Sequence, residues 1–102
     1  MGYRSDVYIK VHKNDEDKLT DVLRENDFEP IKEYEDGDYA GYALYDVKWY
    51  GTFREVKAVN DFIAEESEHP RGSIALGEDG AKEDFGLPWE VGLCLVTQVI
   101  WS

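Results

Sequence analysis

Tyr42–Glu65, Y-A-L-Y-D-V-K-W-Y-G-T-F-R-E-V-K-A-V-N-D-F-I-A-E, sets a strand pattern directly before a helix pattern. From about Tyr39 to Tyr50 the residues alternate. Tyr39, Gly41, Ala43, Tyr45, Val47 and Trp49 fall on one face; Tyr42, Leu44, Asp46 and Lys48 fall on the other. Period-two alternation marks a half-buried strand, and the odd face is the better core candidate. Gly51 breaks the strand. Thr52-Phe53-Arg54-Glu55 then reads as a capping box, in which hydroxyl and carboxylate satisfy each other's free backbone donors. Val56, Val59 and Ile63 form the apolar stripe of the helix, helped by Phe53 and Phe62. His69-Pro70 marks its end.

Upstream, Val7, Ile9 and Val11 alternate with Tyr8, Lys10 and His12, a second half-buried strand. Asn14 is placed to cap a helix whose first turn holds Asp15, Glu16 and Asp17, where the dipole favours anions. Leu19, Val22, Leu23 and Asn26 share its inner face. Ile31–Glu35 is a short polar strand, and Asp36-Gly37 is a hairpin signal joining it to the strand above. Its polarity suits a sheet edge. Downstream, Ser73–Leu76 is a short strand with Ile74 and Leu76 inward. Gly77–Pro88 reads as a loop, and Trp89–Trp101 as a last strand apolar on both faces.

The order β-α-β-β-α-β-β predicts an α+β domain of ferredoxin-like, split βαβ type. An extra C-terminal strand joins a mainly antiparallel sheet, with two helices on one face. At 102 residues the chain is one domain. It buries roughly 60–70% of its unfolded surface, enough for one core without staples.

Charge is the dominant feature of the composition. Twenty-three acids against eleven bases give −12, and each half of the chain carries −6. Such a field repels nucleic acid and anionic membranes and draws basic protein surfaces. The same acids also keep a small protein dispersed in water, which is the plainer reading. No apolar run approaches the roughly 18 residues of a membrane span, and the start lacks a signal-peptide core. These features predict a cytoplasmic protein.

Motifs for catalysis are thin. His12 and His69 have no neighbouring His or Cys, so no metal site is expected. The Gly77–Asp84 stretch lacks the ligand register of a calcium loop. Cys94, the lone cysteine, sits in an apolar strand and reads as inert core. There is no phosphate-binding glycine loop and no acid–base constellation, so no cofactor and no enzyme are expected. Tyr8, Tyr42, Tyr45 and Trp49 lack the aromatic RNA-binding signature, and the charge opposes direct nucleic-acid binding. The acids themselves are the remaining candidates: Glu33, Glu35, Asp36 and Asp38 on the hairpin; Glu65, Glu66 and Glu68 at the helix end; Glu78, Asp79, Glu83 and Asp84 in the loop. On an exposed face they would imitate nucleic acid toward a basic groove, with affinity falling as salt rises.

The opening Met1-Gly2-Tyr3-Arg4-Ser5-Asp6-Val7 resembles the start of small acidic proteins encoded by bacteriophages and prophages. Tyr45-Asp46-Val47-Lys48-Trp49-Tyr50, the following helix, and Leu76-Gly77-Glu78-Asp79 are similar to their middle and late parts. That group has no settled function, so no site residue carries over. The resemblance implies an accessory protein in the bacterial host cytoplasm, blocking a host nucleic-acid-handling or defence protein with a basic surface. A small-molecule or nucleotide-signal module, as a homodimer with a pocket between sheets, is the alternative.

Overall fold

A computed structural model describes residues 4–50, 52–65, 68–77, 82–86, 94–95 and 99–100. Its elements run β1 (Ser5–His12), α1 (Lys13–Glu25), β2 (Ile31–Asp36), β3 (Tyr39–Val47), α2 (Arg54–Ala64), β4 (Gly72–Gly77), β5 (Lys82–Gly86), β6 (Cys94–Leu95) and β7 (Val99–Ile100). The first five strands form one sheet in the order β2-β3-β1-β4-β5, every neighbouring pair antiparallel. The protein is therefore α+β, with a five-stranded antiparallel sheet and two helices. Gly37 turns the β2–β3 hairpin at φ 56°, and β2 lies at the sheet edge, as its polarity implies.

Both helices pack on one face of the sheet. Val7, Ile9 and Val11 of β1 share a core with Leu19 and Leu23 of α1 and Val56, Val59, Phe62 and Ile63 of α2. Register then decides which face of β3 joins them. Val7, Ile9 and Val11 stand opposite Leu44, Tyr42 and Ala40, and cross-strand partners share a face. The even positions of β3 are thus the core positions, contrary to the expectation for the odd ones. Tyr45 is exposed and meets Tyr8 edge-to-face on the outer surface, ring centroids 6.1 Å apart. Aromatic bulk suggested the odd face, but the small Ala40 beside Tyr42 and Leu44 fits close against α1 and β1. In β4, likewise, Ala75 joins the core while Ile74 is buried on the opposite face, beside Tyr8.

Four boundaries differ from the sequence pattern. First, β3 stops at Val47 because Asp46 adopts φ 56°. Asp46 is held there: its N–H donates to Asp6 Oδ1 at 2.9 Å, and its carbonyl accepts from Arg4 Nη1 at 3.0 Å. Trp49 is nevertheless buried, with its ring tilted against Phe28 at 5.5 Å. Second, the capping box does not form. Phe53 is the N-cap of α2 and makes no side-chain cap, so Glu55 falls at the second helical position instead of the third. Third, α1 starts directly from β1: His12, and not Asn14, is the N-cap, its Nδ1 accepting from the Asn14 N–H at 3.1 Å. Fourth, the expected loop contains β5, and the expected last strand is two short strands. β5 is exposed along its whole length and binds β4 through its backbone, so it leaves no apolar alternation to read. β6 and β7 pair antiparallel with each other, which a continuously apolar run does not reveal. The rest of Trp89–Trp101 lies outside the described residues.

Candidate functional site

A cleft opens where α2 meets the β4–β5 edge. Val56 and Asn60, four residues apart, present one face of α2. Opposite them, Phe85 pairs with Ser73 and Glu83 with Ala75, so all four point toward the helix side. Trp49, from the connection before α2, closes one end, and Asp84 completes the rim. The space is about 280 Å³.

Its polar groups are left open by the fold. Ser73 is 4% exposed, yet no hydrogen bond of its hydroxyl is seen among the described residues. The Asn60 amide and the exposed Glu83 carboxylate likewise show no partner among them. Trp49 is the buried aromatic wall and Phe85 the exposed one, 40% accessible. Polar side chains and aromatic residues thus line one volume, which is how small ligand sites are built.

The other acidic candidates take different places. At the β2 edge, Glu35 meets Lys13 Nζ at 3.2 Å and Lys32 Nζ at 3.0 Å, and Lys32 also meets Glu16 at 2.8 Å. These hydrogen bonds from Lys32, reinforced by Lys13 at Glu35 and by Tyr42 at Glu16, hold both carboxyls below their ordinary value. The two carboxylates in turn raise Lys32. Burial, then the hydrogen bond to Glu16, pushes Tyr42 up to about 12. Glu33 accepts from the Tyr45 hydroxyl on the outer face. Burial first, and then Glu33, raises Tyr45. Asp38 uses its carbonyl, accepting from the Lys13 N–H at 2.7 Å. Glu65 lies 3.6 Å from Arg71, and Glu68 is exposed. Glu66, Glu78, Asp79 and the side chain of Asp36 lie outside the described residues.

The hairpin acids and the Glu83–Asp84 pair therefore occupy opposite edges of the sheet. Four strand spacings separate them, about 19 Å at ~4.8 Å each. They do not merge into one row.

Three groupings escaped the sequence pattern. Arg71 is 2% exposed in its side chain and ties the helices together. It meets Asp15 in the first turn of α1 and donates from Nη1 to the Phe62 carbonyl at 2.6 Å in the last turn of α2. His12 and His69, distant in sequence, stack with ring centroids 3.6 Å apart. Lys10, 4% exposed, lies over the Tyr34 ring at 4.6 Å. Among the described residues no group of three His, Cys, Asp or Glu is placed to hold a metal ion, and no helix is long and apolar enough to cross a membrane.

No family model, curated protein or solved structure matches this chain.

Proposed function

We propose that this protein works by binding, as a phage accessory protein that inhibits a host nucleic-acid-handling or defence protein in the bacterial cytoplasm, and that it is not an enzyme. On this reading the fold is ferredoxin-like. β1-α1-β2 and β3-α2-β4 are its two split halves, and β5 is an added edge strand.

One observation carries the reading. Lys13, Lys32, Arg71 and Lys82 each already face a carboxylate, and Lys10 is buried. Meanwhile Asp17, Asp21, Glu25, Asp61, Glu68 and Glu83 are exposed with no ion pair among the described residues. Among the described residues Lys18, Arg24, Lys48, Arg54 and Lys57 are exposed without an ion pair as well. The surface thus carries both signs, with carboxylates in excess as the net −12 requires. That excess suits a basic partner and speeds its encounter. The resemblance to small phage proteins supports the setting.

Capture from bacterial lysate on the immobilised protein tests this. The expected result is a basic, nucleic-acid-binding partner retained at low salt and released as salt rises. Recovery of none at low salt overturns it. The cleft beside α2 favours a second reading, a small-molecule module. Thermal shift against a metabolite panel separates the two, since a ligand bound only by the folded state raises Tm.

A further inference from the structure

We propose that the cleft between α2 and the β4–β5 edge is a receptor for a single arginine side chain of the basic partner. The inference rests on the binding reading above and assigns it a contact point.

Ser73 lines the cleft, and no hydrogen bond of its hydroxyl is seen among the described residues, none of whose buried side-chain nitrogens or oxygens is left unsatisfied. A ligand donor would therefore replace water at this hydroxyl and not rescue a dry one. Asn60 adds an amide oxygen, and Glu83 adds a carboxylate. All three can accept a hydrogen bond; Ser73 and Asn60 can also donate, and the Glu83 carboxylate, which only accepts, is the group that favours a ligand with donors.

The carboxylate and the net −12 select for a cation and repel a phosphate or nucleotide. Shape selects between cations. Trp49 and Phe85 both line the cleft, and aromatic rings favour a planar guanidinium, which can stack on them, over a strongly hydrated ammonium. Guanidinium also carries five N–H donors in a fixed fork, enough to engage Glu83, Asn60 and Ser73 together. Size agrees. Pockets for drug-sized ligands begin at about 300 Å³, and this cleft, at about 280 Å³, suits one side chain.

Nuclear magnetic resonance titration of the full chain with two peptides of equal charge, one arginine-rich and one lysine-rich, tests the assignment. The expected result is a set of amide shifts centred on Asn60, Ser73 and Phe85 with the arginine peptide, several-fold tighter than with the lysine peptide. Glu83→Gln should weaken that binding about tenfold, the scale of one lost charge-assisted hydrogen bond. Ser73→Val, which keeps the strand's shape, should weaken it less, and both spectra should remain those of a folded chain. Equal affinity for the two peptides, or shifts confined to the β2 edge, overturns the arginine receptor while leaving the acidic-surface reading intact. Tight binding of free agmatine with no gain from the peptide overturns the partner as the source. Binding of neither peptide at low salt overturns the assignment and the reading beneath it.

Discussion

Arg71 and Asp15 meet inside the protein, Nη2 to Oδ1 at 3.2 Å and Nε to Oδ2 at 3.3 Å, with the arginine side chain 2% exposed. The fork-on-carboxylate geometry fixes the first turn of α1 against the last turn of α2. The Arg71 guanidinium also lies 4.1 Å from the Phe62 ring centroid. Removing one partner leaves a buried charge alone. Arg71→Met should therefore destabilise the fold by roughly 3–5 kcal/mol, because charge burial is costly once uncompensated. Adding Asp15→Leu should restore part of that loss. Urea unfolding of both variants checks the sign of the coupling. An additive double mutant would show that the pair does not act as a unit.

Gly86 sits at φ 70°, and a Cβ there would stand 2.5 Å from Ile63 Cγ2 and 2.6 Å from the Arg71 carbonyl oxygen. Backbone strain and a clash with main chain act together. Gly86→Ala should cost about 2–4 kcal/mol and loosen β5. Gly37, at φ 56° with nothing near its Cβ, provides the control. Gly37→Asn should cost under about 1 kcal/mol, since asparagine tolerates the left-handed region. Thermal unfolding of the two variants separates clash from conformation.

Helix starts show why local signals misplaced a boundary. Thr52 and Glu55 have the composition of a capping box, yet the helix begins one position too late for it. Thr52→Ala should then change stability by less than about 0.5 kcal/mol, as for an ordinary surface site. His12, which no preference scale favours as a cap, does accept from the Asn14 N–H. His12→Ala should cost about 1 kcal/mol through the lost cap. Comparing Tm for these two variants decides which residues cap the helices.

The alternation of Val7, Ile9 and Val11, the Asp36-Gly37 turn and the Val56/Val59/Ile63 stripe were legible because each is a local pattern with one physical solution. The core face of β3 was not. Both of its faces carry apolar residues, and only pairing with β1 selects Ala40, Tyr42 and Leu44. β5 was silent because Lys82, Glu83 and Asp84 have no alternation, although backbone bonding to β4 makes them a strand. That miss hid the site. Glu83 was legible as an acid, but its neighbours Trp49, Asn60 and Ser73 converge on it only through tertiary packing. Arg71, one cation among eleven, gave no sequence sign that it would be buried.

The Lys32 cluster predicts how stability depends on pH. Glu16 and Glu35 are held below their ordinary 4.5 by Lys32, with help from Tyr42 and Lys13. Depressed folded-state values mean that the unfolded chain binds more protons in this range. The contribution is therefore fully present above pH 4.5 and is lost as pH falls through the lower folded values. Lys32→Met should flatten the acid limb of a urea-midpoint profile while leaving its shape near neutrality. Tyr42 acts at the other end. Its phenol is raised from 10.0 to about 12, so its contribution holds below pH 10 and is lost as pH rises toward 12. Tyr42→Phe should reduce the alkaline slope, to which the raised Tyr8 and Tyr45 phenols also contribute, and spare the acid one arising from Glu35. A profile in which Lys32→Met leaves the acid limb unchanged would mean that these carboxylates are as free in the folded state as in the unfolded one.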